Sequence, residues 1–213
     1  MSTTPPPPRP DIPKLAELPL VIDTPRVQLR PIAETDVDDI WPYASDPEFP
    51  RHMSWAPHRD RDETRAWIAS CAEALAAGTA VTWAIVHEGR ACGTVGLEAI
   101  RWHLRAWRVD RADLGYWIAK PLWNQGFATE AATAVTRWGF ETLGLHKISV
   151  GCAEDNKPSK RVIEKVGYRY CGRWEDHAWR DGRWWNHLRY ELTIGEWGDT
   201  ARTQRFKRPS RPL

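Results

Sequence analysis

PLWNQGFATEA, residues 121–131, places Gly126 two positions before Ala128, between a strand-like run and a helix-like one. The run before it, DLGYWIA (113–119), reads as a strand. From Asn124 to Leu143 the apolar positions Ala128, Ala131, Ala132, Val135 and Trp138 follow helical spacing, and Gly144 closes the pattern. A chain that leaves a strand, turns through glycine and enters a helix aims the helix's unpaired N–H groups at the turn, which is an anion cradle. Gly126 and Ala128 keep side chains out of the way, and Thr129 adds a hydroxyl. The stretch is neither a P-loop, which ends in Gly-Lys-Ser/Thr, nor a three-glycine dinucleotide fingerprint. Taken alone, it reads first as a plain turn.

Working outward, RVQLRPI (26–32) alternates like a strand, and Thr35 opens a short helix with acidic residues in its first turn. A second helix sets Trp67, Cys71, Ala74 and Leu75 on one face and ends at Gly78. VTWAIVH and CGTVGLEAI flank EGRA as a hairpin, and a polar stretch of about a dozen residues leads on to DLGYWIA. After the Gly126 helix come the strand HKISVGCA and the helix NKPSKRVIEKVG, with Pro158 in its first turn and Gly167 at its end. Two last strands flank Asp181-Gly182, a two-residue hairpin signal. The expected order is strand, two helices, three strands, helix, strand, helix, two strands.

The 213 residues suit one domain with tails. Residues 1–18 are proline-rich and read as an extended tail, 19–198 as the folded domain, and 199–213 as a basic tail. The net charge of +2 argues against a global field for nucleic acid, so nucleic acid is not an expected partner. Neither a signal-type stretch nor a long apolar run stands in the sequence, so a cytoplasmic protein with no membrane partner is expected. Cys71, Cys92, Cys152 and Cys171 lack metal or disulfide spacing and read as packing residues, and no metal is expected. Fourteen tryptophans are several times ordinary usage. Most are assigned to the core, with Trp102 and Trp107 less core-like because arginines and His103 surround them.

DLGYWIA, the Gly126 loop and EDNKPSKRVIEKVGYR (154–169) together resemble the GNAT acetyl-coenzyme A transferase superfamily, most closely its RimJ/RimL-like branch, over roughly residues 20–197. The resemblance implies a mixed α/β (α+β) fold with a largely antiparallel, splayed sheet flanked by helices. It implies that acetyl-CoA is the co-substrate, its diphosphate held by the loop Asn124, Gln125, Gly126, Phe127, Ala128 and Thr129. The family loop often carries Gln or Arg three places before the glycine; here that place is Trp123, and Gln125 is the expected substitute. DLGYWIA then corresponds to a bulged strand splaying from its neighbour, with a free N–H near Trp117 or Ile118 to polarise the thioester carbonyl. Asp113 is read as support for that strand. Asn156 would hold the pantetheine arm and Ser159 would sit near the sulfur, although capping chemistry alone also accounts for both.

Attack on a thioester needs a neutral amine. An α-amino group, with a pKa near 7.7–8.0, is far closer to neutral in the cell than a lysine at about 10.4, so an acid acting through water suffices as base. Asp176, where RimJ/RimL-like sequences often carry a glutamate, and Glu98, at a strand end, are the candidates; His177 is read as structural. The expected activity is N-acetyl transfer to an amine acceptor, a protein N-terminus ahead of a small amine or antibiotic. A larger acyl donor and a non-catalytic acyl-CoA or RNA-binding module are the alternatives, and a homodimer is compatible with the reading.

Overall fold

The computed structural model describes residues 12–198, so the expected features at 1–11 and 199–213 lie outside the described residues. In chain order the elements are β1 (Ile22–Asp23), β2 (Gln28–Pro31), α1 (Val37–Ala44), α2 (Arg61–Ala76), β3 (Val81–His87), β4 (Arg90–Leu104), β5 (Trp107–Ile118), α3 (Phe127–Glu141), β6 (Lys147–Ala153), α4 (Lys157–Val166), β7 (Arg169–Arg180) and β8 (Arg183–Thr193). They form one eight-stranded sheet in the order β1-β2-β3-β4-β5-β6-β8-β7. Among the described strands only β5 and β6 run parallel. The mixed, largely antiparallel architecture and the element order match the expectation, with the two-residue β1 added.

Local chemistry sets the boundaries. Asp60 caps α2 by accepting the Glu63 N–H at 2.8 Å. Two of the hairpin turns, Glu88-Gly89 and Asp181-Gly182, hold two consecutive positive φ angles, the type I′ geometry that matches strand twist. The sheet buries both faces. α3 and α4 cover one, where Trp83 and Trp138 meet edge to face at 5.1 Å. α1 and α2 cover the other, over Ile40, Ile68, Ala84 and Trp117.

The folded segment begins before residue 19, inside the stretch expected to be tail. Leu15 is 2 % exposed, inside the core, while the indoles of Trp138 and Trp83 donate to the carbonyls of Pro19 and Leu20. Buried indole N–H groups need acceptors, and this segment supplies them. The polar stretch expected between β4 and β5 is instead paired strand, turning at Arg105 (φ +55°) and Ala106. Trp102 is buried between exposed Arg101 and His103, a period-two pattern that the arginines masked, whereas Trp107 is exposed as expected.

One irregularity positions everything that follows. β5 pairs with β6 from Arg111↔Lys147 to Leu114↔Val150 and then stops, although β5 runs on to Ile118 and β6 to Ala153. The two central strands part there, and the sheet opens.

Candidate active site

A cavity of about 950 Å³ occupies this split and reaches both faces of the sheet. On the α3/α4 side it meets the Gly126 loop. Gly126 is the N-cap of α3 with φ +86° and no capping side chain, and the first intrahelical bond is Glu130 N–H to the Gly126 carbonyl at 3.0 Å. The amides of Phe127, Ala128 and Thr129 precede that bond and have no partner within the helix. They form a cradle suited to a diphosphate. Glu130, an acid in the first turn, would oppose an anion, but Arg26 holds it at 2.6 Å. Burial would raise the Glu130 carboxyl; bonds from the Thr24 hydroxyl and from Arg26 outweigh this and hold it below the usual range.

Side chains in the loop depart from the expectation. The Gln125 side-chain amide donates to the Pro121 carbonyl at 2.8 Å, so this side chain is tied back rather than turned to the cavity, while the Gln125 backbone carbonyl accepts from Arg26. The Phe127 ring is buried against His87 and beneath Arg26, leaving only its backbone for the cradle. Trp123 donates its indole N–H to the Ile118 carbonyl at 2.7 Å and stacks on Phe49, and with Asn124 it lines the cavity.

Backbone direction decides which amide of β5 faces the split. The Ala119 N–H donates to the Cys92 carbonyl at 2.7 Å, and groups alternate sides along an antiparallel strand. Trp117, two residues back, turns its N–H and C=O to β4. Tyr116 and Ile118 turn theirs to the gap, so of the two expected donors it is Ile118 that faces it. Trp117 contributes its side chain, packed edge to face on Phe49 at 5.3 Å. The expected bulge of this strand lies elsewhere, near Asp110, whose φ is +37°.

Asn156 caps α4, its side-chain oxygen accepting the Ser159 N–H at 3.2 Å. Both residues line the cavity. The Ser159 hydroxyl lies 2.9 Å from the Tyr116 phenol, which also reaches the Ser159 carbonyl at 3.1 Å. Burial raises the Tyr116 pKa strongly, and the Ser159 bond offsets only part of it. The phenol therefore keeps its proton, which it can give to either Ser159 oxygen. Beside them, burial pushes the Cys152 thiol up to about 11, in keeping with a packing role.

On the α1/α2 side the cavity meets Glu98 and His187. Glu98 sits opposite Asp113 across β4 and β5, and a side chain at Gly115 would stand 3.3 Å from its Oε1, so the glycine leaves room for the carboxylate. Asp113 is paired with Arg189 at 3.0 Å; among the described residues no ion pair joins Glu98. Water reaches Glu98 through the open cavity, yet the surrounding protein raises its carboxyl, and Asp113 adds to the effect. The His187 imidazole is lowered by burial, then by His177 and Arg189, so it is neutral near pH 7.

Asp176 lands outside this constellation. β7 carries three residues, Glu175 to His177, opposite the single Asn186 of β8, and Asp176 sits in this bulge at φ +43°, exposed, its N–H bonded to the Asn186 side chain at 3.0 Å. It does not line the cavity. Sequence reasoning passed over Tyr116, His187 and the lining residues of the α1–α2 connection. Only Tyr116 lay inside a quoted motif. Among the described residues no cluster of three or more His, Cys, Asp or Glu could hold a metal, and no helix is long and apolar enough to cross a membrane.

The Acetyltransferase (GNAT) domain family matches residues 26–169. The chain is similar to the uncharacterized N-acetyltransferase YoaA of Bacillus subtilis, 27% identical over 164 residues, 76% of this chain and 90% of that one. It is 31% identical over 84 residues to the [Ribosomal protein uS5]-alanine N-acetyltransferase of Escherichia coli, 39% of this chain and 43% of that one. Among solved structures, RimL, a ribosomal alpha-N-protein acetyltransferase in complex with coenzyme A, superposes with a TM-score of 0.74 at 18% identity, covering 83% of this chain and 99% of RimL. With the split sheet, the bare α3 N-terminus and a family match spanning most of the folded chain, the protein belongs to the GNAT family of acetyltransferases.

Proposed function

We propose that this protein transfers the acetyl group of acetyl-coenzyme A directly to a primary amine, the preferred acceptor being the α-amine at the N-terminus of a protein or peptide. The observation that carries this reading is one continuous cavity joining the α3 cradle and Ser159 on one face of the split sheet to Glu98 on the other. The names of relatives that act on ribosomal protein N-termini support the acceptor class.

In this reading the Phe127, Ala128 and Thr129 amides bind the diphosphate, and Asn156 and the open edge of β5 guide the pantetheine arm. The Ile118 N–H is the backbone donor for the thioester oxygen. The amine enters from the α1/α2 side and, once neutral, forms the new C–N bond as the C–S bond breaks. Ser159, donating while it accepts from Tyr116, supplies a proton to the departing thiolate. The proton lost by nitrogen passes to Glu98 directly or through one water; His187 is the second acceptor within the cavity, and the exposed Asp176 is set aside for this role. Glu98 is suited to it because its raised pKa makes it a better base than an ordinary surface carboxylate.

Ser159→Ala is expected to lower kcat by about 10- to 100-fold, the loss of one hydrogen bond of roughly 1.5–3 kcal/mol, with coenzyme affinity close to wild type. Tyr116→Phe should give a smaller loss in the same parameter. An unchanged kcat in Ser159→Ala, with chemistry shown to be rate-limiting, would return the serine to helix capping alone. The acceptor is tested by the pH profile of kcat/KM on a free N-terminal peptide. It should rise with an apparent pKa near 7.7–8.0, that of the α-amine, and N-terminally blocked peptides that retain lysine should be poor substrates. Equal rates on blocked and free peptides would overturn the α-amine assignment.

A further inference from the structure

The two halves of the cavity differ in chemistry. The donor half sets backbone amides, Asn156 and Ser159 beside the cations Arg161 and Lys165, along with Val150 and Val162, whereas the acceptor half is walled by Met53, Trp55, Trp67, Cys71 and Ala74, interrupted by Ser54 and Ser70, with Glu98 at its inner end. This wall is preformed. The aromatic rings run from Trp55 to His58 at 5.5 Å and on to Trp67 at 6.2 Å, and the His58 ring is tied to Thr64 at 2.9 Å. From the far side of the cleft, Arg180 of the β7–β8 hairpin donates to the carbonyls of Met53 at 2.6 Å and Trp55 at 3.2 Å, fixing the connection between α1 and α2. Met53, Trp55, Trp67 and Cys71 also pack on the buried cluster beneath. A wall already ordered loses little freedom when a ligand arrives, so contact with it is expressed as affinity.

Resting on the acyl-transfer reading, we propose that this half-cavity selects a primary amine whose carbon bears a large apolar group; in a peptide, an N-terminal Leu, Met or Phe rather than Gly, Ser or Ala. Charge complementarity sets the orientation. The Glu98 carboxylate, joined by no ion pair among the described residues, attracts the ammonium end towards the split, and the apolar substituent then lies against the Trp55–Trp67 wall. A small first residue leaves that wall wetted, while a large one removes it from water. A thioether or aromatic substituent gains ring contacts as well.

The test measures kcat/KM for peptides differing only in the first residue, alongside phenethylamine and ethylamine, with wild type and Ala74→Trp. Ala74 faces the cavity from α2 and is only half-buried, so the indole enters the pocket rather than the core. In wild type, Leu, Met and Phe peptides should exceed Gly, Ser and Ala peptides by about 10- to 100-fold, and phenethylamine should exceed ethylamine similarly. Ala74→Trp should erase or reverse the order, with coenzyme affinity retained as the check of folding. Peptides acetylated without regard to size, or with Ser and Ala ahead, would overturn the pocket assignment and leave the N-terminal reading standing. If peptides fail while phenethylamine outruns ethylamine, the pocket assignment holds and the peptide reading falls.

Discussion

Ala128→Glu should weaken coenzyme A binding by about a hundredfold or more while the protein remains folded. Ala128 lies in the first turn of α3, lining the cavity, where the backbone must come within hydrogen-bond distance of an anion. A carboxylate there opposes the diphosphate and obstructs charge-assisted bonds of roughly 1.5–3 kcal/mol each; a loss of about 3 kcal/mol is two decades of affinity. Ala128→Ser, with a small neutral side chain, should bind nearly as wild type. Position 126 is a poorer test of the same idea. Its φ of +86° would strain any side chain, and the new Cβ would stand 3.4 Å from Arg26, inviting an ion pair outside the cradle. Calorimetry on Ala128→Glu showing wild-type affinity in a folded protein would remove the α3 cradle from the account.

Glu98→Gln should lower kcat/KM by about a hundredfold or more, since a positioned general base contributes about 10²–10⁴. The loss should be steepest at the acidic end of the profile, where removing the amine's proton is hardest. The same substitution should not destabilise the fold at pH 7. Because the Glu98 carboxyl is raised in the folded state, its ionisation is less favourable there than in the unfolded chain. That penalty is present above the folded pKa and vanishes below the ordinary carboxylate range. Melting of Glu98→Gln should therefore match or exceed wild type at pH 7, with the difference shrinking as pH falls through the Glu98 titration. Retained activity with unchanged pH dependence would pass the base role to His187, and His187→Ala would then carry the loss. Activity lost together with a large fall in melting temperature would mark Glu98 as a structural residue instead.

The parts of this protein that were readable in one dimension are those fixed by short-range backbone chemistry. Gly126 and Gly144 bracket α3, Asn156 and Pro158 start α4, Gly167 ends it, and Asp181-Gly182 turns the last hairpin, each because only a few residues tolerate the local φ or cap the local amides. The Ser159 neighbourhood was legible for the same reason. What escaped depends on register between distant strands. The extra residues opposite Asn186 throw Asp176 to the surface, although the family resemblance made it a candidate base. The paired extension of β4 and β5 hid Trp102 among arginines, and Leu15 enters the core only because α3 and β3 bring tryptophans to Pro19 and Leu20. His187 and Tyr116 acquire their roles from which face of a strand the split exposes. The acceptor wall is least legible of all, for Met53 and Trp55 lie in an irregular connection held in place by an arginine more than a hundred residues away.

The central claim, that one cavity brings a thioester and an α-amine together across the split sheet, is tested most directly by mass spectrometry of the products formed from acetyl-coenzyme A and a library of peptides with free and blocked N-termini mixed with small amines. The account predicts release of coenzyme A only when an amine is present, and a single acetyl group on the α-nitrogen of free peptides, with Ser159→Ala and Glu98→Gln slower on the same product. Coenzyme A binding without amine-dependent thiol release, or acetyl groups found only on lysine side chains or only on small amines, would contradict it.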